Sequence, residues 1–366
     1  MSRYVIFLGA GASASEGVPL QGDLLRSYFS EHPDRRVLRE FAREVIDFFR
    51  LVFDIDVLNL EARMPLPTFE EVLGLIDLAT SRAEGFRGIP LHAPDDGGLN
   101  LSSIRRRLIL LMADAIHRRV PGDAAVHSRL VRNLRTGDRL AQTSFLTTNY
   151  DSLLDSALED DAVPLEEDRG LGTVVEYGFS DLEPRSPIPG RETRSFPLYK
   201  IHGSLNWLYC SVCTDLAVTH GPDIVARLLD APGRARCNRC QTMREPLIVP
   251  PTLYKSLSSA HLAIVWNHAA RALRDCAQLV FCGYSLADAD MHVKYLVKAA
   301  QMNRNPSADS LRITLVNNYP DKSDSTIQQE FERYARLFGS NAVSDAHLSF
   351  QDFAADPGAI LGRARQ

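Results

Sequence analysis

A chain of 366 residues with 45% apolar content can bury a full core, and the expectation is one large domain carrying a smaller insertion. A formal charge of -5 gives no bulk electrostatic reason to expect direct nucleic-acid binding. No uninterrupted apolar run reaches the roughly 18 residues a membrane span needs, and Met1-Ser2-Arg3 leads directly into an apolar run with no leader pattern, so the expected location is cytoplasmic.

Tyr4-Val5-Ile6-Phe7-Leu8 reads as a buried strand, closed by Gly9-Ala10-Gly11-Ala12-Ser13. Mostly helical text follows over 20–135. Within it Val37, Leu38, Phe41, Val45, Phe48, Phe49 and Val52 recur at helical spacing, as do Phe69, Val72, Leu73, Ile76 and Leu78, and both sets are read as core-facing stripes. The stretch 85–100, rich in Gly, Pro and Asp, reads as a loop. Arg105-Arg106-Arg107 and His117-Arg118-Arg119 read as the solvated ends of a helix. Strands are expected at 142–147, about 173–176 and 197–201, with an exposed excursion over 180–195. A short strand at 247–249, a helix at 258–275, a strand at 278–282, a helix at 287–300 and a strand at 311–316 complete the pattern. The closing β-α-β run, Leu279-Val280-Phe281 to Ile313-Thr314-Leu315-Val316, is a parallel-sheet signature.

Polar motifs follow several of these strands. Gly9-x-Gly11-x-x-Ala14 fits the start of a dinucleotide fingerprint, in which glycines let backbone amides approach a pyrophosphate. The acidic residue expected about 20 positions on, at the end of a second strand, is absent, because residues 20–53 read as helix. An ordinary dehydrogenase is thereby disfavoured, and a glycine-rich turn without a ligand stays open. Asn149 and Asp151, in Thr147-Thr148-Asn149-Tyr150-Asp151, can both face a cleft, or can serve as a turn residue and a helix cap. His202, before Gly203-Ser204, can be a general base near neutral pH, or a polar group satisfied within the fold. In an open parallel sheet all three motifs would lie where ligands bind, at the carboxyl ends of strands.

Six cysteines divide into two kinds. Cys210-x-x-Cys213 and Cys237-x-x-Cys240, 23 residues apart (214–236), lie close to the spacing of a closed tetrahedral zinc site, against the alternatives of unliganded thiols or two local disulfides. Cys276 and Cys282, in apolar surroundings, read as small core side chains.

In their joint order these residues resemble the sirtuin superfamily. Gly9-Ala10-Gly11-Ala12-Ser13 with Gly17-Val18-Pro19 looks like its nucleotide-binding opening, Thr147–Asp151 resembles its Thr-x-Asn-x-Asp segment, and His202-Gly203 matches its catalytic His-Gly. The paired Cys-x-x-Cys knuckles follow, and Gly283-Tyr284-Ser285-Leu286 and Val316-Asn317-Asn318 resemble its later glycine-serine and Asn motifs. The resemblance implies an α/β, doubly wound parallel (Rossmann-like) sheet with a helical insertion and a small four-cysteine zinc module. The chain would be a single sirtuin-like domain over 1–366, with the helical insertion at 20–135 and a zinc-ribbon-like module at 205–245. It also implies NAD as substrate. Gly9, Ala10, Gly11 and Ser13 would lie at the pyrophosphate, Asn149 would position the nicotinamide ribose and water, and Asp151 would bind the nicotinamide carboxamide. His202 would be the base, Gly283, Ser285 and Asn317 would hold the phosphate and adenosine ribose, and Cys210, Cys213, Cys237 and Cys240 would hold a structural zinc.

Departures shape the functional expectation. Protein deacylases of the family continue Gly-Ile-Pro with Asp-Phe-Arg, whereas Pro19 is followed by Leu20-Gln21-Gly22-Asp23. Their peptide-binding Val-x-Phe-Gly-Glu strand is replaced by Leu247-Ile248-Val249-Pro250-Pro251-Thr252, whose prolines cannot donate to a ladder. About 135 residues separate the first two motifs, longer than in compact deacylases. The pattern looks like the divergent bacterial sirtuin-like proteins that hydrolyse NAD in antiphage defence. The expected activity is therefore NAD+ hydrolysis to nicotinamide and ADP-ribose, restrained by a regulatory protein partner or by homo-oligomerisation. The alternatives are an NAD-dependent protein deacylase and a catalytically silent NAD or ADP-ribose sensor.

Overall fold

The computed structural model describes residues 3–31, 42–61, 64–93, 98–117, 125–160, 172–179, 193–219, 236–249, 259–305, 310–319 and 322–362. By packing, the chain divides into two compact units. One comprises Met1–Gly17, Pro121–Ser204 and Leu253–Gln366, the other Val18–Val120 and Leu205–Thr252.

The first unit holds a seven-stranded sheet: β1 Tyr4–Leu8, β2 Thr143–Thr147, β3 Gly172–Glu176, β4 Thr193–Lys200, β8 Gln278–Cys282, β9 Arg312–Val316 and β10 Val343–Asp345, in the order β10-β9-β8-β1-β2-β4-β3. Every pairing in it is parallel. The expected doubly wound α/β architecture is thus present. β1, β2 and β8 are buried at every position; β1, and β8 after Gln278, therefore read as apolar runs and not as alternation, whereas β2 buries Thr143, Ser144 and Thr147 beside Phe145 and Leu146. β1 lies at the reversal of strand order, between β2 and β8. In open α/β sheets that position carries the ligand crevice at the carboxyl ends of the strands. Flanking helices in this unit are α1 Ala10–Ala14, α6 Ala125–Thr136, α7 Leu153–Asp160, α8 Ala260–Asp275, α9 Met291–Met302, α10 Asp324–Phe338 and α11 Phe350–Ala355. The last stretch is tied back to the sheet: Tyr4 donates to Gly362 O at 2.8 Å and Gln278 Nε2 to Ile360 O at 3.3 Å.

The second unit contains α2 Leu24–Glu31, α3 Arg43–Phe53, α4 Phe69–Ser81 and α5 Leu101–His117, with a three-stranded sheet, β6-β5-β7, made of β5 Gly203–Tyr209, β6 Leu216–Val218 and β7 Glu245–Ile248. The first two residues of β5 fall in the first unit. Thr68 and Glu71 form a capping box that fixes the start of α4. Phe69, Val72, Leu73 and Ile76 are buried as the periodicity predicts, but Leu78 is 47% exposed. At 100° per residue, Leu78 is half a turn out of phase with Phe69, and Ala79 takes the core position instead. In α3, Val45, Phe48 and Phe49 are buried, while Val37, Leu38 and Phe41 lie outside the described residues. β4 begins at Thr193, inside the stretch read as an exposed excursion, and α9 begins at Met291, later than the expected 287. Among the described residues no helix is long and apolar enough to cross a membrane.

Candidate functional site

Each polar motif occupies the turn after a parallel strand: Gly9 follows β1, Asn149 follows β2, His202 follows β4, Gly283 follows β8 and Asn317 follows β9. The turn after β2 is pinned to the end of β1. Thr147 Oγ1 donates to Leu8 O at 2.9 Å and accepts from the Asn149 N–H at 2.9 Å. The Asn149 carboxamide then bridges to the glycine turn, donating from Nδ2 to Gly9 O at 2.9 Å and to Ser13 Oγ at 2.8 Å. Ser13 in turn donates to Asp151 Oδ2 at 2.7 Å, and Asp151 Oδ1 accepts from the Leu153 N–H at 3.1 Å. Ser13, Asn149 and Asp151 therefore form one hydrogen-bonded group, and Asp151 also serves as the helix-end acceptor that its position admits.

Beneath this turn lies a buried ion pair. The Lys200 ammonium, at the end of β4, donates to the Asp151 carbonyl and to Asp155 Oδ2 at 2.8 Å, while Tyr177 donates to Asp155 Oδ1. Lys200 is 0% exposed. Charges that deep are tolerated only when paired and hydrogen-bonded, so this arrangement fixes the backbone of the Asn149–Asp151 turn.

Gly9 and Gly11 meet a second glycine turn. Gly11 N–H donates to Gly283 O at 2.8 Å. A Cβ on Gly9 would lie 2.5 Å from Gly283 O, and one on Gly11 2.8 Å from Gly283 Cα. Gly283, at φ +64°, would place a Cβ 2.2 Å from Ala12 N. The three glycines are thus explained by backbone-to-backbone packing, and the Gly11 amide is engaged there. Ala10 is half-buried and Ser285 exposed.

Asn317 grips the Tyr284 backbone on both sides, accepting its N–H at Oδ1 (3.2 Å) and donating from Nδ2 to its carbonyl (2.7 Å). Tyr334, on α10, donates to the same carbonyl at 2.6 Å. The Tyr284 ring packs 4.8 Å from that of Phe7 and 5.8 Å from that of Phe281.

His202 is 1% exposed, its ring 6.4 Å from that of Tyr150, and the preceding Ile201 carbonyl accepts from Trp266 Nε1 at 2.8 Å. Its Nε2 lies 3.4 Å from Asp290 Oδ1, and Asp290 Oδ2 accepts from Tyr284 Oη at 2.8 Å. Asp290 is 5% exposed and sits at the N-cap of α9. Sequence reasoning missed Asp290, Tyr334, Lys200 and Asp155. Asp290 had one signal, an Asp at a helix start, and that reads equally well as an ordinary cap.

In the second unit the Sγ atoms of Cys210, Cys213, Cys237 and Cys240 all lie within 4.8 Å of one another. Ligands about 2.3 Å from a tetrahedral zinc would stand about 3.8 Å apart, so this cluster can hold the ion. All six cysteines are unbridged, which removes the two-disulfide reading. Hydrogen bonds from the Thr242 side chain and backbone draw Cys240 down to about 6, while the hydrogen bond with Cys240, burial and the neighbouring thiols push Cys213 up to about 12. Cys276 and Cys282 are fully buried, and burial pushes Cys276 up to about 12, consistent with inert core thiols.

The family model described as a SIR2-like domain matches residues 143–335. No curated protein matches the chain. Among solved structures, the chain is similar to a sirtuin from work on substrate affinity (12% identity, covering 99% of this chain and 94% of that one, TM-score 0.41). It is also similar to Sir2 bound to an acetylated peptide (12%, 99% and 94%, TM-score 0.43) and to Sir2 with a p53 peptide and NAD+ (12%, 98% and 93%, TM-score 0.39).

Proposed function

The chain belongs to the SIR2-like family of the sirtuin superfamily, and from that premise we propose that it is an NAD+ hydrolase releasing nicotinamide and ADP-ribose. NAD-dependent chemistry of the sirtuin type follows from the family. Cleavage of the nicotinamide bond is supported by one observation: Asn149, held by Ser13 and Gly9, and His202 occupy turns after the adjacent strands β2 and β4. In this reading Asp151 and Asn149 orient the nicotinamide end of the dinucleotide. The turns at Gly9–Ser13 and Gly283–Ser285, together with Asn317, cradle its phosphate and adenosine ribose. The bond from ribose C1′ to the nicotinamide nitrogen breaks with its electron pair going to nicotinamide. Water oxygen bonds to C1′, and its proton passes to His202. The oxocarbenium-like state on this path needs orientation and charge placement more than a strong nucleophile.

Hydrolysis is favoured over deacylation because Leu20-Gln21-Gly22-Asp23 stands where deacylases carry Asp-Phe-Arg. A structural zinc would be held by Cys210, Cys213, Cys237 and Cys240. A role in antiphage defence, with the resting enzyme restrained by a protein partner or its own oligomer, is part of the same proposal. The purified protein is to be incubated with NAD+, with and without an acetylated peptide. Nicotinamide and ADP-ribose without peptide are expected. Peptide-dependent product would establish a deacylase instead, and binding without turnover a sensor. Asn149→Ala should lower turnover by about 10²-fold with the fold intact. Equal rates would remove Asn149 from the mechanism.

A further inference from the structure

Asp290 belongs to none of the motifs that carry the family resemblance, yet its carboxylate lies between the two sides of the strand-end cluster. One oxygen stands 3.4 Å from His202 Nε2 and the other accepts from the Tyr284 hydroxyl at 2.8 Å. Both His202 and Asp290 are buried. A contact of this length in a ligand-free enzyme commonly shortens in the reacting complex. The anchoring of Tyr284 separates this pair from a chance approach. Its N–H and carbonyl are clamped by Asn317, its carbonyl is also held by Tyr334, and its ring is packed against those of Phe7 and Phe281. The Asp290 backbone is fixed as well, since its N–H donates to Ala287 O at 3.1 Å and its carbonyl accepts from Lys294 N–H at 3.1 Å. A carboxylate fixed at its backbone and at one oxygen has little freedom to turn its other oxygen away from the imidazole.

We propose that Asp290 is a positioning residue for His202. It holds the imidazole with the proton on Nε2, leaving Nδ1 as the proton-accepting nitrogen of the neutral ring, and it stabilises the imidazolium formed after proton uptake. A carboxylate accepts but cannot donate, so the neutral ring can satisfy it only with Nε2–H. Tyr284 completes the device by tethering the carboxylate. The assignment rests on His202 being the base in the reading above.

Asp290→Asn preserves shape and reverses the chemistry. The Tyr284 hydroxyl favours the carboxamide oxygen on its own side, which turns the NH2 toward Nε2 and drives the ring proton to Nδ1. Nitrogen-15 spectra of the full chain labelled at histidine should show His202 protonated at Nε2 in the wild type and at Nδ1 in the variant. The kcat for NAD+ hydrolysis should fall by about 10²-fold with KM little changed, as expected when a general base is held in the wrong tautomer. Tyr284→Phe keeps the ring packing and loses only the tether, so it should lower kcat less and broaden the Nε2–H signal. It carries the test should Asp290→Asn fail to fold. An unchanged tautomer, or a loss confined to KM, would overturn the proposal. A wild type with the Nε2–H pattern but no NAD+ turnover would count for the pairing and against hydrolysis.

Discussion

Glu16 lies three residues beyond Ser13, just past α1, and its carboxylate acts on a distant element. Oε1 accepts from the N–H groups of Val126 at 3.1 Å and His127 at 2.9 Å, and lies 2.5 Å from His127 Nδ1. Burial alone would raise this carboxyl. The hydrogen bond from the His127 ring, the charge of that ring and the two backbone N–H groups outweigh burial and hold Glu16 below its ordinary 4.5. A folded-state value below the unfolded one contributes stability that is present above the unfolded value and is lost as pH falls through the folded one. Glu16→Gln should therefore cost about 1–3 kcal/mol at neutral pH, the scale of a buried charge-assisted bond, with the gap to wild type closing below about pH 4.5. Thermal unfolding of both proteins across that range measures it, and a pH-independent gap would show that the carboxylate is not ionised in the fold. Neither this pair nor His202–Asp290 was legible in the sequence. Asn149 and His202 stand out because they interrupt strand ends, whereas Glu16 and His127, and His202 and Asp290, lie far apart along the chain and no local pattern joins them.

At the level of elements, legibility followed burial on both faces. β1, and β8 after Gln278, are apolar throughout and could be read directly, while β2 and β9 were marked by shorter apolar stretches, Phe145-Leu146 and Leu315-Val316. β5 could not, because Ser204 and Asn206 are polar yet buried, and they mask a strand whose first six residues are inaccessible. β10 and α11 span only three and six residues, too short for a period to show. The two glycine turns give a sharper test of packing between elements. Gly283→Ala places a Cβ against the backbone of Gly11 and Ala12 at a positive φ, and backbone atoms cannot swing aside. The expected loss is about 3 kcal/mol, read by chemical denaturation. Wild-type stability would contradict the packing of these two turns. The cysteine cluster behaves as a unit in the same way. Cys237→Ser should lower zinc content below one ion per chain and cause instability or aggregation, because a structural site contributes its binding energy to folding. A metal-free protein as stable and active as wild type would rule out the zinc.

At the scale of the whole molecule, the residues assigned to NAD, from Gly9 to Asn317, all fall in the first packing unit. The segments that separate hydrolysis from deacylation, Leu20–Asp23 and Leu247–Thr252, fall in the second. A deacylase needs an exposed strand to which an extended peptide can add its own backbone. β7 is an edge strand among the described residues, but the Arg105 guanidinium, held by Asp77 at 2.6 Å, approaches the Ile248 carbonyl at 3.5 Å and competes for that acceptor. Pro250 and Pro251 lie outside the described residues, yet their chemistry alone removes two backbone donors from any ladder continuing past Val249. A peptide would thus find acceptors contested and donors missing over one short stretch. Acetyl-lysine peptides are expected neither to stimulate nicotinamide release nor to yield O-acetyl-ADP-ribose, with water the sole acceptor required. Mass spectrometry of the products, with peptide in excess over enzyme, decides this. Stoichiometric transfer of the acetyl group to ADP-ribose would reassign the protein as a deacylase and would require the edge at residues 245–249 to open for substrate.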